Sequence, residues 1–250
     1  MPMEGAIAGE APACACGARA WAPLAEDNGH RWWRCAACGL ARLIPMPAGS
    51  RAAIGGDAVG RGYIDYYRPK LEKKLRRSLR RARRLAKLMP GKRLLDVGAN
   101  VGCLVEAARR IGLDSVGVEM NRTLVDFARE TYPACRFVAA ALEEAPLDGA
   151  VFDGVSCCDV IEHVPDQDRF VAALAARMAP GAVLYLTTPA AEDLVPEGHA
   201  PSAGLGAPGR KLLHTRRSLK ALLGRHGFAR MRFRMSRGRG LKLYARKAAA

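Results

Sequence analysis

The chain has 250 residues, a formal net charge of +16 and hydrophobic side chains at 50% of its positions. This composition excludes a disordered chain, and the length suits one sizeable core with a small appendage. No apolar run is long enough to span a bilayer and no secretory signal is recognisable, so we expect a cytoplasmic protein with reduced cysteines.

Two cysteine pairs stand near the N-terminus, CACG at 14–17 and CAACG at 35–39. Paired thiolates followed by glycine suit the knuckles of a zinc ribbon. We therefore expect a zinc-ribbon-like module over residues 1–45, with a structural zinc ion held by Cys14, Cys16, Cys35 and Cys38. The usual ligand spacing in such knuckles is C-x-x-C, which the second pair has. In the first pair Ala13 stands where the first cysteine is expected, so this pair is C-x-C. Two alternatives stay open: His30 as the fourth ligand, or a ribbon without metal.

Residues 46–69 are rich in Pro and Gly and are expected to form a linker that ends in the aromatic stretch RGYIDYYRP. From residue 70 the pattern predicts an amphipathic helix that Pro90 and Gly91 end. Its basic face is either solvated or in contact with an anionic surface. Its apolar stripe comprises Leu71, Leu75, Leu79, Ala82, Leu85 and Met89.

Strands and helices alternate along the rest of the chain, which predicts an α/β fold with a parallel sheet covered by helices on both faces. Asp166 and Thr215 are expected to cap helices. ARMRFRM and LKLYARK predict a closing hairpin. The remaining predicted strands are RLLDVG, SVGVE, RFVAA, FDGVSCC and AVLYLTT.

The turn after RLLDVG predicts a nucleoside-binding loop, because ligands bind beyond the carboxyl ends of parallel strands. Gly98 allows a close approach of the backbone and Gly102 opens a helix. Glu119 ends the next strand, 23 residues after Asp96, where a carboxylate can accept both ribose hydroxyls. The glycine spacing does not fit the G-x-G-x-x-G of a dinucleotide site, and Asp96 suits a cationic ligand.

LLDVGANVG, VGVE, FDGVSCCDVIEHVPD and APGAVLYLTTP, in this order, resemble the motifs of class I S-adenosylmethionine-dependent methyltransferases over residues 70–250. The resemblance implies a Rossmann-like seven-stranded sheet whose last strand is inserted antiparallel. It places Asp96, Gly98 and Gly102 beside the methionine part of S-adenosylmethionine, and Glu119 at the ribose. Two positions depart from the family pattern, Asn100 at its middle glycine and Ala141 at its usual adenine-binding aspartate. The other cofactor-binding residues implied are Tyr63, Met120, Leu142 and Asp159. Within the linker 46–69, Tyr63, Tyr66 and Tyr67 resemble aromatic residues that close over the cofactor in this family.

The segment DVIEHVPD is similar to that of ubiquinone-pathway O-methyltransferases, where such residues are associated with magnesium. Asp159, Glu162 and His163 are the matching residues here. His163 is the candidate general base, and the alternative is a segment that only caps its strand. His214 is a second catalytic candidate, because the family often has a histidine before this helix. The loop over residues 190–211 is expected to act as a lid.

The charge is unevenly distributed, with no acidic residue and 14 basic residues in 201–250. This pattern favours an anionic partner, which could be a nucleic acid or an anionic membrane surface. The alternative is that the basic side chains are only solvated. The sequence therefore predicts a methyltransferase that acts on a small-molecule acceptor, at oxygen. The alternatives are an RNA methyltransferase and a regulatory protein that binds S-adenosylmethionine without turnover. The oligomeric state is left undetermined.

Overall fold

Eleven strands form two sheets in the computed structural model, which describes residues 7, 10–47, 55–194, 205–234 and 240–249. The larger sheet has seven strands in the order β10-β11-β8-β7-β4-β5-β6, and the smaller has the order β1-β2-β3-β9. The strands are β1 (Trp21–Asp27), β2 (His30–Cys35), β3 (Ala41–Leu43), β4 (Arg93–Val97), β5 (Asp114–Glu119), β6 (Arg136–Ala139), β7 (Phe152–Cys158), β8 (Met178–Thr188), β9 (Leu212–Leu213), β10 (Phe228–Phe233) and β11 (Leu241–Lys247).

Helices cover both faces of the larger sheet, as the alternating pattern predicts. The helices are α1 (Asp57–Tyr67), α2 (Leu71–Ala86), α3 (Cys103–Arg110), α4 (Arg122–Thr131), α5 (Gln167–Ala176), α6 (Ala191–Leu194) and α7 (Arg216–Arg225). Apolar residues of α2, α3 and α4 pack on one face, and those of α5 and α7 pack on the other. The Asp166 side chain accepts from Arg169 N, and that of Thr215 from Ser218 N, so both predicted caps are confirmed.

The strand directions match those that the resemblance implies. β4 pairs in parallel with β5 and β7, β5 with β6, and β7 with β8. β11 lies between β8 and β10 and is antiparallel to both. The connection predicted to close this hairpin, residues 235–239, lies outside the described residues. The parallel strands therefore direct their carboxyl ends to one edge, where the predicted binding loop lies.

The smaller sheet joins the cysteine-bearing module (residues 10–45) to the rest of the protein. β1, β2 and β3 form an antiparallel meander, and β3 pairs with β9, so that Ala41 is opposite Leu213. Trp32, Leu43 and Leu213 are fully buried in its core. Since β9 is supplied from near the C-terminus, the module shares its sheet and its core with the larger unit.

Residues 57–67 form helix α1, so the prediction of a loop-like linker over residues 46–69 is wrong in this part. The glycines of the segment have a low helix propensity, so the helical pattern of residues 57–67 was not recognised in the sequence. Packing against α4 outweighs this low propensity. The Thr123 hydroxyl donates to Asp57 over 2.7 Å, and Asn121 Nδ2 donates to Gly56 O over 3.1 Å. A Cβ on Gly60 would collide with Asn121 and Thr123, so this glycine permits the close approach of the two helices.

The long basic helix is confirmed as α2. Leu75, Ala82, Leu85 and, just beyond the helix, Met89 are buried against the sheet. This apolar stripe fixes how α2 is rotated about its axis, and therefore which of its basic side chains face the interior of the protein.

Candidate functional site

A cavity of about 780 Å³ lies at the carboxyl ends of β4, β5 and β7. Most of the site residues that the sequence predicted line it, although they come from distant parts of the chain. Gly102 and His214 do not line it. The predicted residues that do are Tyr63, Asp96, Gly98, Asn100, Glu119, Met120, Ala141, Leu142, Asp159, Glu162 and His163.

The loop after β4 is shaped by three residues with left-handed backbone conformations. Gly98, Asn100 and Gly102 have φ values of +72°, +52° and +76°. A Cβ on Gly98 would collide with the Val160 side chain, and one on Gly102 would lie 2.6 Å from Phe137 Cζ. The Asn100 conformation agrees with the expectation that asparagine replaces a glycine there, since asparagine tolerates this region better than most residues. Gly102 opens α3 and acts through packing rather than as a cavity wall.

Glu119 stands at the end of β5 with its carboxylate directed into the loop. Its two oxygens accept backbone N–H groups of Asn100 and Asn121, each over 3.0 Å. Burial raises the pKa of this carboxyl. In its ionised form each oxygen keeps a lone pair that can accept a further donor from a ligand. This geometry suits the ribose-binding role that the resemblance implies.

Asp96, at the end of β4, is 6% exposed. Burial raises the pKa of its carboxyl to about 7. Opposite charges lower the pKa of a carboxyl, so a cationic ligand near Asp96 would favour its ionised form. The location and charge of Asp96 thus fit the α-ammonium group of an amino-acid ligand.

Helix α2 contributes three residues that the sequence analysis missed, Lys74, Ser78 and Arg81, which line the cavity. Arg81 Nη1 lies 3.1 Å from Cys158 Sγ, and its guanidinium stacks 5.2 Å from the Tyr185 ring centre. Lys74, Ser78 and Arg81 are spaced by four and three residues, so they lie on one face of the helix. Ser78 is an uncharged residue within a face that is otherwise basic. That interruption was the available signal. The cavity is consequently lined by both cations and carboxylates.

Tyrosines from α1 close one side of the cavity. Tyr63 and Tyr67 line it and stack with their ring centres 6.2 Å apart. Tyr66 is 58% exposed and lies outside the lining, with the Lys70 ammonium 3.3 Å from its ring centre. The aromatic closure implied by the resemblance therefore involves Tyr63 and Tyr67.

His163 lies in a 3₁₀ turn, Ile161–His163, that follows β7 at the mouth of the cavity. Its Nδ1 lies 2.8 Å from the Gly209 carbonyl oxygen, which can only accept a hydrogen bond. Nδ1 therefore carries a proton, and in the neutral ring Nε2 has the free lone pair. Burial lowers the pKa of His163, so the neutral ring persists into mildly acidic solution. These properties suit a general base.

The three residues of the expected magnesium site are not brought together as a ligand set. Glu162 is 1% exposed, and its Oε2 accepts from the Thr188 hydroxyl over 3.0 Å. Asp159 Oδ1 accepts from the Thr187 hydroxyl over 3.2 Å. In the part of the chain that the structure describes, the four module cysteines are the only group of three or more metal-binding side chains placed to share an ion. Among the described residues, Asp159, Glu162 and His163 are therefore not arranged as a three-residue metal site.

His214 is fully buried and lies outside the cavity lining. Its Nδ1 contacts the Ser218 hydroxyl over 3.2 Å, and burial lowers its pKa to about 3. A base must reach the proton that it removes, so this position does not support the catalytic role predicted for His214. The geometry favours His163.

Residues 205–211, part of the predicted lid, connect the cysteine-bearing module to His163. Most of the remaining lid lies outside the described residues. Asp27 and Asn28 in the β1–β2 turn bind the backbone N–H and carbonyl of Ala207, each over 2.9 Å. Leu43 N donates to Lys211 O over 3.0 Å, and Lys211 N donates to Glu162 O over 2.8 Å. The Gly209 carbonyl that orients His163 is therefore held from both sides.

Four cysteines form a cluster at the outer end of the module. The sulfur atoms of Cys14, Cys16, Cys35 and Cys38 all lie within 4.8 Å of one another, with 3.4 Å between Cys14 and Cys38 and 3.7 Å between Cys16 and Cys35. Tetrahedral zinc–thiolate bonds of about 2.3 Å separate sulfurs by about 3.8 Å, so the cluster fits a structural zinc ion. The C-x-C pair therefore supplies two ligand positions, and His30 is not part of the cluster.

No described helix is long and apolar enough to cross a membrane.

Comparisons with known proteins agree with this geometry. The family model described as "Methyltransferase domain" matches residues 67–231. A ubiquinone biosynthesis O-methyltransferase of Hahella chejuensis is 37% identical over 105 residues, and one of Coxiella burnetii is 33% identical over 104 residues. Each match covers 40% of this chain and 44% of the relative, which is less than half of the relative's length.

Solved structures share the fold. The magnesium protoporphyrin IX methyltransferase of Synechocystis, solved with bound SAM, aligns with a TM-score of 0.57 and 19% identity over 81% of this chain and 99% of its own. An amino pentose methyltransferase of Micromonospora echinaspora aligns with a TM-score of 0.57 and 22% identity over 74% of this chain and 96% of its own. With the family match over 67–231, the motif order and the sheet order, the chain belongs to the class I S-adenosylmethionine-dependent methyltransferases.

Proposed function

We propose that the protein transfers the methyl group of S-adenosylmethionine to a hydroxyl oxygen of a small-molecule acceptor. The observation that carries this proposal is His163, a histidine that lines the cofactor cavity with its Nδ1 proton donated to Gly209 O. Among the described residues, Nε2 has no hydrogen-bond partner, and the Glu162 carboxylate is 3.9 Å away. A neutral Nε2 in this position is suited to remove the proton of a hydroxyl group.

The charges of the cavity are complementary to S-adenosylmethionine, which supplies an electrophilic methyl group when it is bound. Asp96 provides a carboxylate for its α-ammonium group, and Lys74 and Arg81 provide cations for its α-carboxylate. Glu119 accepts the ribose hydroxyls, while Ala141 and Leu142 offer backbone and an apolar wall for the adenine. Aligning the methyl group with the acceptor oxygen contributes much of the rate in such transfers.

The choice of oxygen as the acceptor atom rests on His163 and on the named relatives, which are O-methyltransferases. A hydroxyl needs a base, because its proton must leave as the carbon–oxygen bond forms. The test uses methyl-labelled S-adenosylmethionine, the purified protein and a fractionated extract of the source cells. We expect label in a small-molecule fraction. Label confined to RNA or protein would contradict the proposal, as would cofactor binding without any labelled product.

Replacement of Arg81 by methionine is expected to weaken S-adenosylmethionine binding at least about tenfold, because a charge-assisted hydrogen bond contributes about 1.5–3 kcal/mol. Isothermal titration calorimetry measures this affinity. Decarboxylated S-adenosylmethionine serves as the matched ligand, and its affinity should differ little between Arg81→Met and the wild type. An equal loss for both ligands would contradict the assignment of Arg81 to the carboxylate.

Zinc is expected at one equivalent per chain, bound by the four cysteines. Elemental analysis of protein purified without added metal measures it. Cys38→Ser is expected to lower the zinc content and the melting temperature, since a structural zinc site stabilises the fold that forms it. Cys157→Ser is a control outside the cluster for the metal content. Full zinc occupancy in Cys38→Ser would contradict the four-cysteine assignment.

A further inference from the structure

A second cavity, of about 480 Å³, lies between the end of α2 and strands β10 and β11. Its lining contains no carboxylate and shares no residue with the cofactor cavity. Leu88, Val183 and Tyr244 form its apolar and aromatic part. We call it the basic groove, after the six cationic side chains that line it: Arg84, Lys87, Arg230, Arg232, Arg234 and Arg246.

The pleat of the edge strand β10 creates one wall of the basic groove. Arg230, Arg232 and Arg234 are exposed on one side, while Met231 and Phe233 pack against the core on the other. Arg232 and Arg234 are alternate residues, which lie about 6.7 Å apart in extended backbone, and together with Arg230 they line the groove. Arg230 has a φ of +50° within an irregularity between Ala229 and Arg232, and such bulges redirect side chains.

One cationic side chain of the groove has a structural role, and the other five are available to bind an anionic ligand. Arg246 donates to Gly181 O and Leu88 O over 2.8 and 3.0 Å, which ties β11 to the end of α2. Within the described ranges, the side chains of Arg84, Lys87, Arg230, Arg232 and Arg234 make no ion pair or hydrogen bond. Five adjacent unneutralised cations repel one another, and a bound polyanion would relieve this repulsion.

We propose that the basic groove binds the phosphodiester backbone of a single-stranded nucleic acid. Guanidinium groups bind phosphate oxygens in a bidentate manner, and several of them in one groove can bind successive phosphates of a backbone. Tyr244 is half-buried, with its ring centre 5.0 Å from that of Tyr185, and the part that lines the groove offers an aromatic contact to a base, a combination typical of single-strand binding sites. The 14 basic residues and no acidic residue in 201–250 favour a polymeric anion over a single phosphate.

The shape of the groove distinguishes this ligand from a lipid surface. A flat bilayer contacts protruding surfaces more readily than a concave groove, and amphipathic interfacial segments insert exposed apolar side chains. Leu88 is the one large hydrophobic side chain of the groove that is exposed, at 37%, among the described residues. This binding goes beyond the proposed methyl transfer, because no residue of the groove belongs to the cofactor cavity.

The experiment measures fluorescence anisotropy of a short labelled oligouridylate with the full chain over a range of salt concentrations. The variant R230E/R232E/R234E is expected to bind at least about tenfold more weakly than the wild type. Single Arg→Ala changes at these positions should each reduce the slope of log affinity against log salt by about 0.7. The control R31E/R122E/R217E has the same net charge and alters exposed residues outside the groove.

Three outcomes would overturn the proposal: no binding by the wild type at low salt, equal losses in the groove variant and its control, or tighter binding of anionic vesicles or polyglutamate than of the oligouridylate. Calorimetry with S-adenosylmethionine verifies that the groove variant retains its fold, and its cofactor affinity should equal that of the wild type. Because the readout is nucleic-acid binding rather than methyl transfer, failure here is distinguishable from failure of the proposed function.

Discussion

Replacement of His163 by glutamine is expected to lower the rate of methyl transfer about 10²- to 10⁴-fold, while S-adenosylmethionine still binds with its original affinity. Glutamine preserves a polar group near the Gly209 carbonyl but provides no basic nitrogen. Calorimetry measures the cofactor affinity, and transfer of labelled methyl groups to the identified acceptor measures the rate. His30→Gln is a matched control at the start of β2, outside the cavity, and should leave both quantities unchanged.

The pH dependence of the wild-type enzyme provides an independent test of His163. The base must be neutral, so the rate falls as the pH drops below the pKa of His163 and the ring becomes protonated. Burial lowers this pKa, and the midpoint of the acid limb is therefore expected below the ordinary histidine value of about 6.5. An unchanged rate in His163→Gln, or an acid limb that persists in this variant, would remove His163 from the base role.

Glu119→Ala is expected to weaken S-adenosylmethionine binding at least about thirtyfold, equivalent to about 2 kcal/mol. The carboxylate lies at the end of β5, and a ribose bound there would donate two charge-assisted hydrogen bonds to it. Loss of the side chain also leaves the N–H groups of Asn100 and Asn121 without their acceptor, which loosens the binding loop. Calorimetry measures the affinity, and Glu130→Ala on the exposed side of α4 is the control.

The conservative variant Glu119→Gln separates these two effects. Its amide oxygen can still accept one of the two backbone N–H groups that the carboxylate accepts, so the loop should be less disturbed and the melting temperature should fall less than in Glu119→Ala. Its affinity for S-adenosylmethionine should lie between those of the wild type and Glu119→Ala, because the charge is lost. If both variants bind the cofactor as well as the wild type does, the ribose assignment of Glu119 is wrong.

Local signals were sufficient for the central α/β alternation and its helix caps. Asp166 and Thr215 cap α5 and α7 as predicted, because capping depends on the residue and its next few neighbours. Asn100 adopts the left-handed conformation that its position in the binding loop required. Local propensity did not predict the helix α1. Its glycines disfavour an isolated helix, and they become favourable only when α4 packs against them.

The sequence by itself determined the order of the seven strands of the larger sheet and the helices between them, the binding loop with its two carboxylates, and the four-cysteine module. The tertiary structure decided which of the basic residues of α2 enter each cavity and which of the two candidate histidines faces the cofactor cavity. The apolar stripe of α2 sets its rotation, which places Lys74 and Arg81 in the cofactor cavity and Arg84 in the basic groove. Pairing of β3 with β9 holds Gly209 against His163 and buries His214. These outcomes depend on contacts between distant segments, and such contacts leave no periodic pattern in the local sequence.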